Sequence, residues 1–233
     1  MNQAALNSAF AVLCEGAADK AFLEALRLRR NLPLFDVPFP PPNLAPGARP
    51  LYGRDHFGNM LEVIATDVRS APALALRGIV IVADAFENVG ETFDYVSRQC
   101  QRSGFAPPIS LATWSQSVPP FPPVAILTVP DCDPGGLETL CLAALRPRYA
   151  QVATCLDSFQ ACVPPIQRTA EKRDKAALAC FTAAVHPSDP TRTLKRVFRG
   201  QDALIDVTDA VFDGVADRLT ALFSSVVSLP TAP

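Results

Sequence analysis

GIVIVAD, residues 78–84, is continuously apolar and β-branched until it closes on Asp84. A run of that kind fits a strand covered on both faces, as in a parallel sheet whose crossovers are helices. Upstream, Ala9–Cys14 is a second apolar run of strand length, and downstream Val124–Val129 is a third. Helical spacing follows each of them: Phe22, Leu23 and Leu26 after the first, a helix over Glu91–Arg102 after the second, and a helix starting near Leu137 after the third. A further helical stretch, His56–Thr66, spaces Phe57, Leu61 and Ile64 along one face before the central strand. The crossovers are long enough for parallel pairing, so the chain reads as an α/β fold with an open, mainly parallel sheet flanked by helices. Residues 1–147 form the α/β core in this reading. Residues 148–233 form a mostly helical C-terminal extension packed on it.

The 233 residues are enough to bury a sizeable core, and 49% hydrophobic against 19% charged residues argues against disorder. A formal charge of −2 provides no global attraction for nucleic acid or anionic membrane, so such binding needs a local patch. No apolar run reaches the roughly 20 residues of a membrane span. MNQAALNSAF lacks the basic start and apolar stretch of a signal peptide. Seven cysteines without a CxxC pair read as reduced thiols, with Cys14, Cys141 and Cys180 lying in apolar runs. The expectation is a cytoplasmic protein with no membrane association.

The three strand ends carry acid: Glu15 with Asp19, Asp84 with Glu87, and Asp131 with Asp133 and Glu138. Ligands of open parallel sheets bind beyond the carboxyl ends of the strands. Neighbouring carboxylates there repel unless neutralised, and hard oxygen donors suit Mg²⁺ or Mn²⁺. Such a set is suited to phosphoryl transfer. Taken alone, Asp19 or Glu138 reads equally well as an acid favoured by a helix N-terminus. Glu15 precedes its helix and sits against the strand, which makes capping a poorer account of it.

CEGAADKAFL (14–23) resembles the glutamate motif of the TOPRIM (topoisomerase–primase) fold, and IVIVADAFEN (79–88) resembles its aspartate motif. VAILTVPDCDPGGLETL and RDKAALACFTA further downstream resemble segments of a small stand-alone TOPRIM-like family related to the overcoming-lysogenization-defect nucleases. The likeness runs from about Phe10 to Phe223. It implies a TOPRIM-like sheet and a divalent-metal-dependent nuclease, with Glu15 as the family glutamate, Asp84 as the first aspartate of its DxD and Lys175 as a basic catalytic residue. Where the family has its second acid this chain has Phe86, leaving Glu87, Asp131 or Asp133 to fill the ligand shell. The competing expectation is a degenerate TOPRIM protein that binds nucleic acid, nucleotide or a partner without cleaving. Related proteins often work beside an ATPase. No GxxxxGK[ST] pattern occurs here, so that motor would be a separate chain.

In SDPTRTLKRVFRG (188–200), Arg192, Lys195, Arg196 and Arg199 are spaced to share one helical face, a candidate nucleic-acid-binding stripe or a solvated face. His56 and His186 read as surface or capping residues, and Trp114 as packing under a loop. Two proline-rich stretches, around residues 31–50 and 107–123, are unsuited to helix or central strand and read as interruptions, the first a long surface excursion.

Overall fold

In a computed structural model the protein is described at residue 6 and over residues 8–38, 53–70, 76–162, 169–186, 188–200 and 203–227. The predicted central strand is β2 (Gly78–Asp84), buried at every position. It lies between β1 (Phe10–Cys14) and β3 (Val124–Val129), parallel to both. Cys14 is in register with Val82, and Asp84 with Val129. The three strands are joined through α1 (Ala17–Arg29), α2 (Phe57–Ser70) and α3 (Val89–Arg102), and β3 runs on into α4 (Leu137–Arg148). The fold is therefore the open parallel α/β sheet that the strand–helix alternation predicts.

Side chains alternate across the sheet, and each face has its own apolar core. Leu13, Ile79, Ile81, Val124 and Ile126 pack with Phe57, Leu61 and Ile64 of α2 and Val96 and Cys100 of α3. Val12, Cys14, Val80, Val82, Ala125 and Leu127 face the other way, toward α1, α4 and the C-terminal helices. Those helices are α5 (Ala150–Cys162), α6 (Ala170–Val185), α7 (Leu194–Val197) and α8 (Asp213–Val227). The mostly helical segment after residue 148 covers this second face directly. The ring of Phe22 on α1 meets Phe198 at 5.6 Å and Phe212 at 5.4 Å, and Phe10 on β1 meets Phe223 on α8 at 4.6 Å. Arg30 locks the same junction, donating to the carbonyls of Val207 (3.0 Å) and Asp209 (2.8 Å) and to the carboxylate of Asp213 (2.6 Å).

The proline-rich stretches do more than interrupt. After α1 the chain returns beside β1, where Val12 N–H donates to Asp36 O and Asp36 N–H to Phe10 O at 2.8 and 2.9 Å. Phe35 and Val37 are buried there, so this part of the expected surface excursion is core; residues 39–52 lie outside the described residues. Along the opposite edge, Ala112 N–H donates to Ile126 O and Ser115 N–H to Val124 O. Both edges of a three-stranded sheet are thus paired over a residue or two by proline-punctuated chain that cannot extend the ladder, which blunts edge-to-edge association. Trp114 packs as expected. It lies so close to β2 that a Cβ on Gly78 would come within 2.6 Å of its ring, and its indole N–H donates to Leu222 O of α8 at 2.9 Å.

Both histidines are buried, His56 completely and His186 at 6% exposure, so neither takes the surface role, while His186 takes the capping one as the C-cap of α6. Each is held by backbone: His56 bridges the carbonyls of Cys14 and Gly53, while His186 Nδ1 accepts from the Asp189 N–H at 2.9 Å. Cys14 and Cys141 are buried in apolar surroundings as expected, whereas Cys180 is exposed because its side of α6 faces solvent. All seven thiols are free. Among the described residues no helix is long and apolar enough to cross a membrane.

Candidate functional site

Parallel pairing brings the carboxyl ends of the strands to one edge. Glu15 stands one residue beyond β1, and its Oε1 accepts the backbone N–H of Asp84 at 3.0 Å. Asp84 Oδ1 accepts the N–H of Leu137, the first residue of α4, also at 3.0 Å. A carboxylate in that place meets both an unpaired N–H and the positive end of the helix. Gly136 makes the approach possible, since a Cβ on it would lie 3.0 Å from the Asp84 carboxyl carbon. Gly135, at φ +134°, permits the turn, and any Cβ there would lie 2.5 Å from Thr139 Oγ1. The Thr139 hydroxyl accepts from Gly136 N–H and donates to Asp174, which ties the start of α4 to α6.

Glu15, Asp84 and Glu138 are 7%, 8% and 8% exposed, and Asp19, in the first turn of α1, is half-buried. Burial pushes the Glu15 carboxyl up to about 8, aided by the charge of Asp19 and opposed by the Asp84 N–H. Burial and the charge of Glu138 lift Asp19 to about 6. Asp84 is raised well above the carboxylate range, by burial first and then by Asp19, Glu15 and Glu138. Burial raises Glu138 as well, against the pull of Lys175. For Lys175, on α6, burial acts downward. Its hydrogen bond to Glu171 and the charges of Glu138, Glu171 and Asp84 outweigh that and hold the ammonium above its usual pKa. Four carboxyls from three chain segments therefore feel one another and Lys175, whose own ion pair is with Glu171.

The remaining candidates stand apart from this group. Asp131 accepts from Arg218 Nε of α8 at 3.1 Å and packs on Gly214, and Asp133 and Glu87 are exposed on their loops. The segment after β3 reaches the site through the start of α4, by the Leu137 N–H and Glu138. Phe86, at φ +53°, exchanges backbone hydrogen bonds with Gly135 and contributes no oxygen side chain.

The basic stripe does not form as a helical face. α7 spans only Leu194–Val197, because Thr193 precedes it in extended conformation and Gly200, at φ +84°, turns the chain away. Arg192 is turned inward, donating to the carbonyls of Arg196 and Arg199 (both 3.1 Å) and meeting His186 Nε2 at 2.7 Å. Arg199 pairs with Glu24, while Lys195 and Arg196 are exposed.

Among the described residues, no group of three or more His, Cys, Asp or Glu side chains is arranged to hold a metal ion. The fit to Mg²⁺ or Mn²⁺ is one of donor chemistry. The side-chain donors are hard oxygens, their charge is under-compensated, and with Oε1 and Oδ1 bound to backbone, Glu15 Oε2 and Asp84 Oδ2 are the oxygens each has left to offer. Of two nearby residues, Arg54 drew no attention in the sequence and His56 was expected only as a surface or capping residue. His56 holds the backbone on both sides of Glu15's surroundings, and Arg54 sits two residues before it. The only sequence signal for them is GRDH immediately before an amphipathic helix.

A model of a family described as a protein of unknown function, DUF3226, matches residues 10–224, from the first residue of β1 into α8. No curated protein matches the chain. No solved structure matches it. The match takes in every strand among the described residues, Glu15, Asp19, Asp84, Glu138 and Lys175, and on it the chain belongs to the DUF3226 family.

Proposed function

We propose that the chain is a divalent-cation-dependent phosphodiesterase of TOPRIM type acting on nucleic acid. The observation that supports this best is the Glu15–Asp84–Leu137 connection, which holds two carboxylates from adjacent strands at the carboxyl edge with Asp19 and Glu138 beside them. Carboxyls raised by burial and mutual repulsion have a high affinity for whatever neutralises them, proton or cation. A bound Mg²⁺ or Mn²⁺ would be held chiefly by Glu15 and Asp84, and would supply charge stabilisation and an activated water. Asp19 and Glu138 adjust the charge around that pair, and Lys175 Nζ offsets negative charge on a bound phosphate. The free thiols accord with a cytoplasmic setting, and a separate ATPase chain as partner follows from the resemblance alone.

The test is cleavage of supercoiled, duplex and single-stranded DNA and of RNA with Mg²⁺ or Mn²⁺, comparing the parent with Glu15→Gln. Cleavage that requires the metal and disappears in the variant supports the reading. Cleavage that persists in Glu15→Gln removes it.

One observation favours a second reading, a binding protein without nuclease activity. Phe86 stands where the resembled family carries an acid, and the adjacent Glu87 is exposed. On that reading the parent cleaves none of the four substrates, and Phe86→Asp gains activity.

A further inference from the structure

Beside the acidic edge lies a cleft of about 220 Å³ whose lining includes Arg54, Phe86, Asn88, Thr92, Thr169 and Glu171. Arg54 begins the 3-10 turn Arg54–His56, and its guanidinium carbon lies 4.9 Å from the centre of the Phe86 ring and 4.7 Å from that of Tyr95. Both rings are themselves fixed. The Tyr95 hydroxyl donates to Asp55, and Phe86 is clamped to Gly135 by hydrogen bonds of 2.7 and 2.6 Å. A bulky residue at φ +53° is held there at an energetic cost, and the result of that backbone is a ring beneath Arg54. Two aromatic residues thus orient one guanidinium before any ligand arrives, which lowers the entropy lost on binding.

That guanidinium makes no ion pair among the described residues. Of the three acids lining the cleft, Glu91 accepts from the Asn88 side chain at 3.2 Å, Glu171 pairs with Lys175, and Glu87 is exposed without an ion pair to Arg54. The cleft also adjoins the acidic edge through the backbone. Gly53 N–H donates to Glu15 O at 3.0 Å, and a Cβ on Gly53 would lie 3.8 Å from Glu15 Oε2. Arg54 therefore begins one residue from Glu15's surroundings.

We propose that Arg54 is a phosphate-binding residue, gripping a phosphodiester of a single nucleic-acid strand next to the one presented to Glu15 and Asp84. This rests on the nucleic-acid reading above. A planar guanidinium can take two phosphate oxygens at once, and stacking on Phe86 and Tyr95 leaves its N–H edges free to do so. Phe86 then acquires a role of its own as the platform for Arg54.

The experiment is fluorescence anisotropy of a short fluorescein-labelled single-stranded DNA oligonucleotide, titrated with full-length protein in EDTA over a range of salt. Arg54→Ala should weaken binding about tenfold or more and reduce the slope of log K against log salt by about 0.7. Arg54→Lys should restore the slope without the affinity, since an ammonium keeps the charge but not the stacked fork. Arg54→Gln, close in length to the parent side chain, repeats the loss should the alanine variant fail to fold. Arg54→Ala binding as tightly as the parent with the same slope overturns the proposal, and so does a parent that does not bind the strand. The two readings fail separately. Arg54-dependent binding with no cleavage under any metal leaves this proposal standing and removes the nuclease. Glu15-dependent cleavage with parental KM and Kd in Arg54→Ala does the reverse.

Discussion

Glu15 Oε1 accepts the backbone N–H of Asp84 at 3.0 Å, so the end of one strand holds its neighbour through a side chain. The bond continues the β1–β2 ladder by one step past Cys14, substituting a carboxylate oxygen for a strand carbonyl. It also explains why Glu15 is buried although it carries the chemistry expected of an exposed acid. Removing the carboxylate charge while keeping the hydrogen bond, as Glu15→Gln does, separates the electrostatic role from the structural one.

Adding Mg²⁺ or Mn²⁺ should raise the thermal midpoint of the parent. At a hundredfold excess over Kd the linkage is about 2.7 kcal/mol, or roughly 5–10 °C for a chain of this size. Glu15→Gln and Asp84→Asn should each lose most of that rise in differential scanning calorimetry. Equal rises in parent and both variants would show that the cation binds elsewhere.

The metal-free protein should lose stability as pH rises. Between its ordinary value of 4.5 and about 8, the folded state keeps a proton on Glu15 that the unfolded chain has released, and Asp19 does the same between 3.8 and about 6. The native state thus binds more protons throughout that window, so its advantage is complete below it and declines through it. Melting in EDTA from pH 5 to 8 should show a falling midpoint, a shallower fall in Glu15→Gln, and a shallower fall again when divalent cation takes the protons' place. A midpoint that rises over this range in EDTA contradicts the burial of the cluster.

Gly78→Ala should cost about 1–3 kcal/mol, as overpacking does in a filled core. The added methyl would sit 2.6–2.8 Å from the six-membered ring of Trp114. In a Trp114→Phe background, which removes the atoms it meets, the same substitution should cost much less. Urea midpoints of the four proteins measure this coupling, and additive effects would mean that the indole is not the obstacle.

If the site is active as it stands, Phe86→Asp should leave kcat within about tenfold, some 1.4 kcal/mol, because the ligand set is unaltered, and should raise KM, because the ring beneath Arg54 is lost. Aspartate tolerates the positive φ better than phenylalanine, so folding should survive. A metal-dependent activity that appears only in Phe86→Asp identifies the parent as the binding protein of the second reading.

The open parallel sheet was legible in the chain because its cause is local: three short apolar runs, each followed by a helix at period 3.6, admit few other folds. Strand ends could be read for the same reason, and with them Glu15 and Asp84. Which acids gather was not legible, because it depends on where a loop goes after its strand. The loop after β3 turns Asp131 toward Arg218 and α8, and only α4, packed close through Gly136, carries Glu138 back to the edge. Helix length defeated the basic stripe in a similar way, since i, i+3, i+4, i+7 spacing means a shared face only if the helix persists, and α7 stops after Val197. Arg54 escaped entirely, and the contacts of His56 and Phe86 were not legible although both residues drew attention in the sequence. Their partners are a strand-end carbonyl, two rings from separate loops and helices, and a glycine 49 residues away, contacts that only the closing of the chain creates.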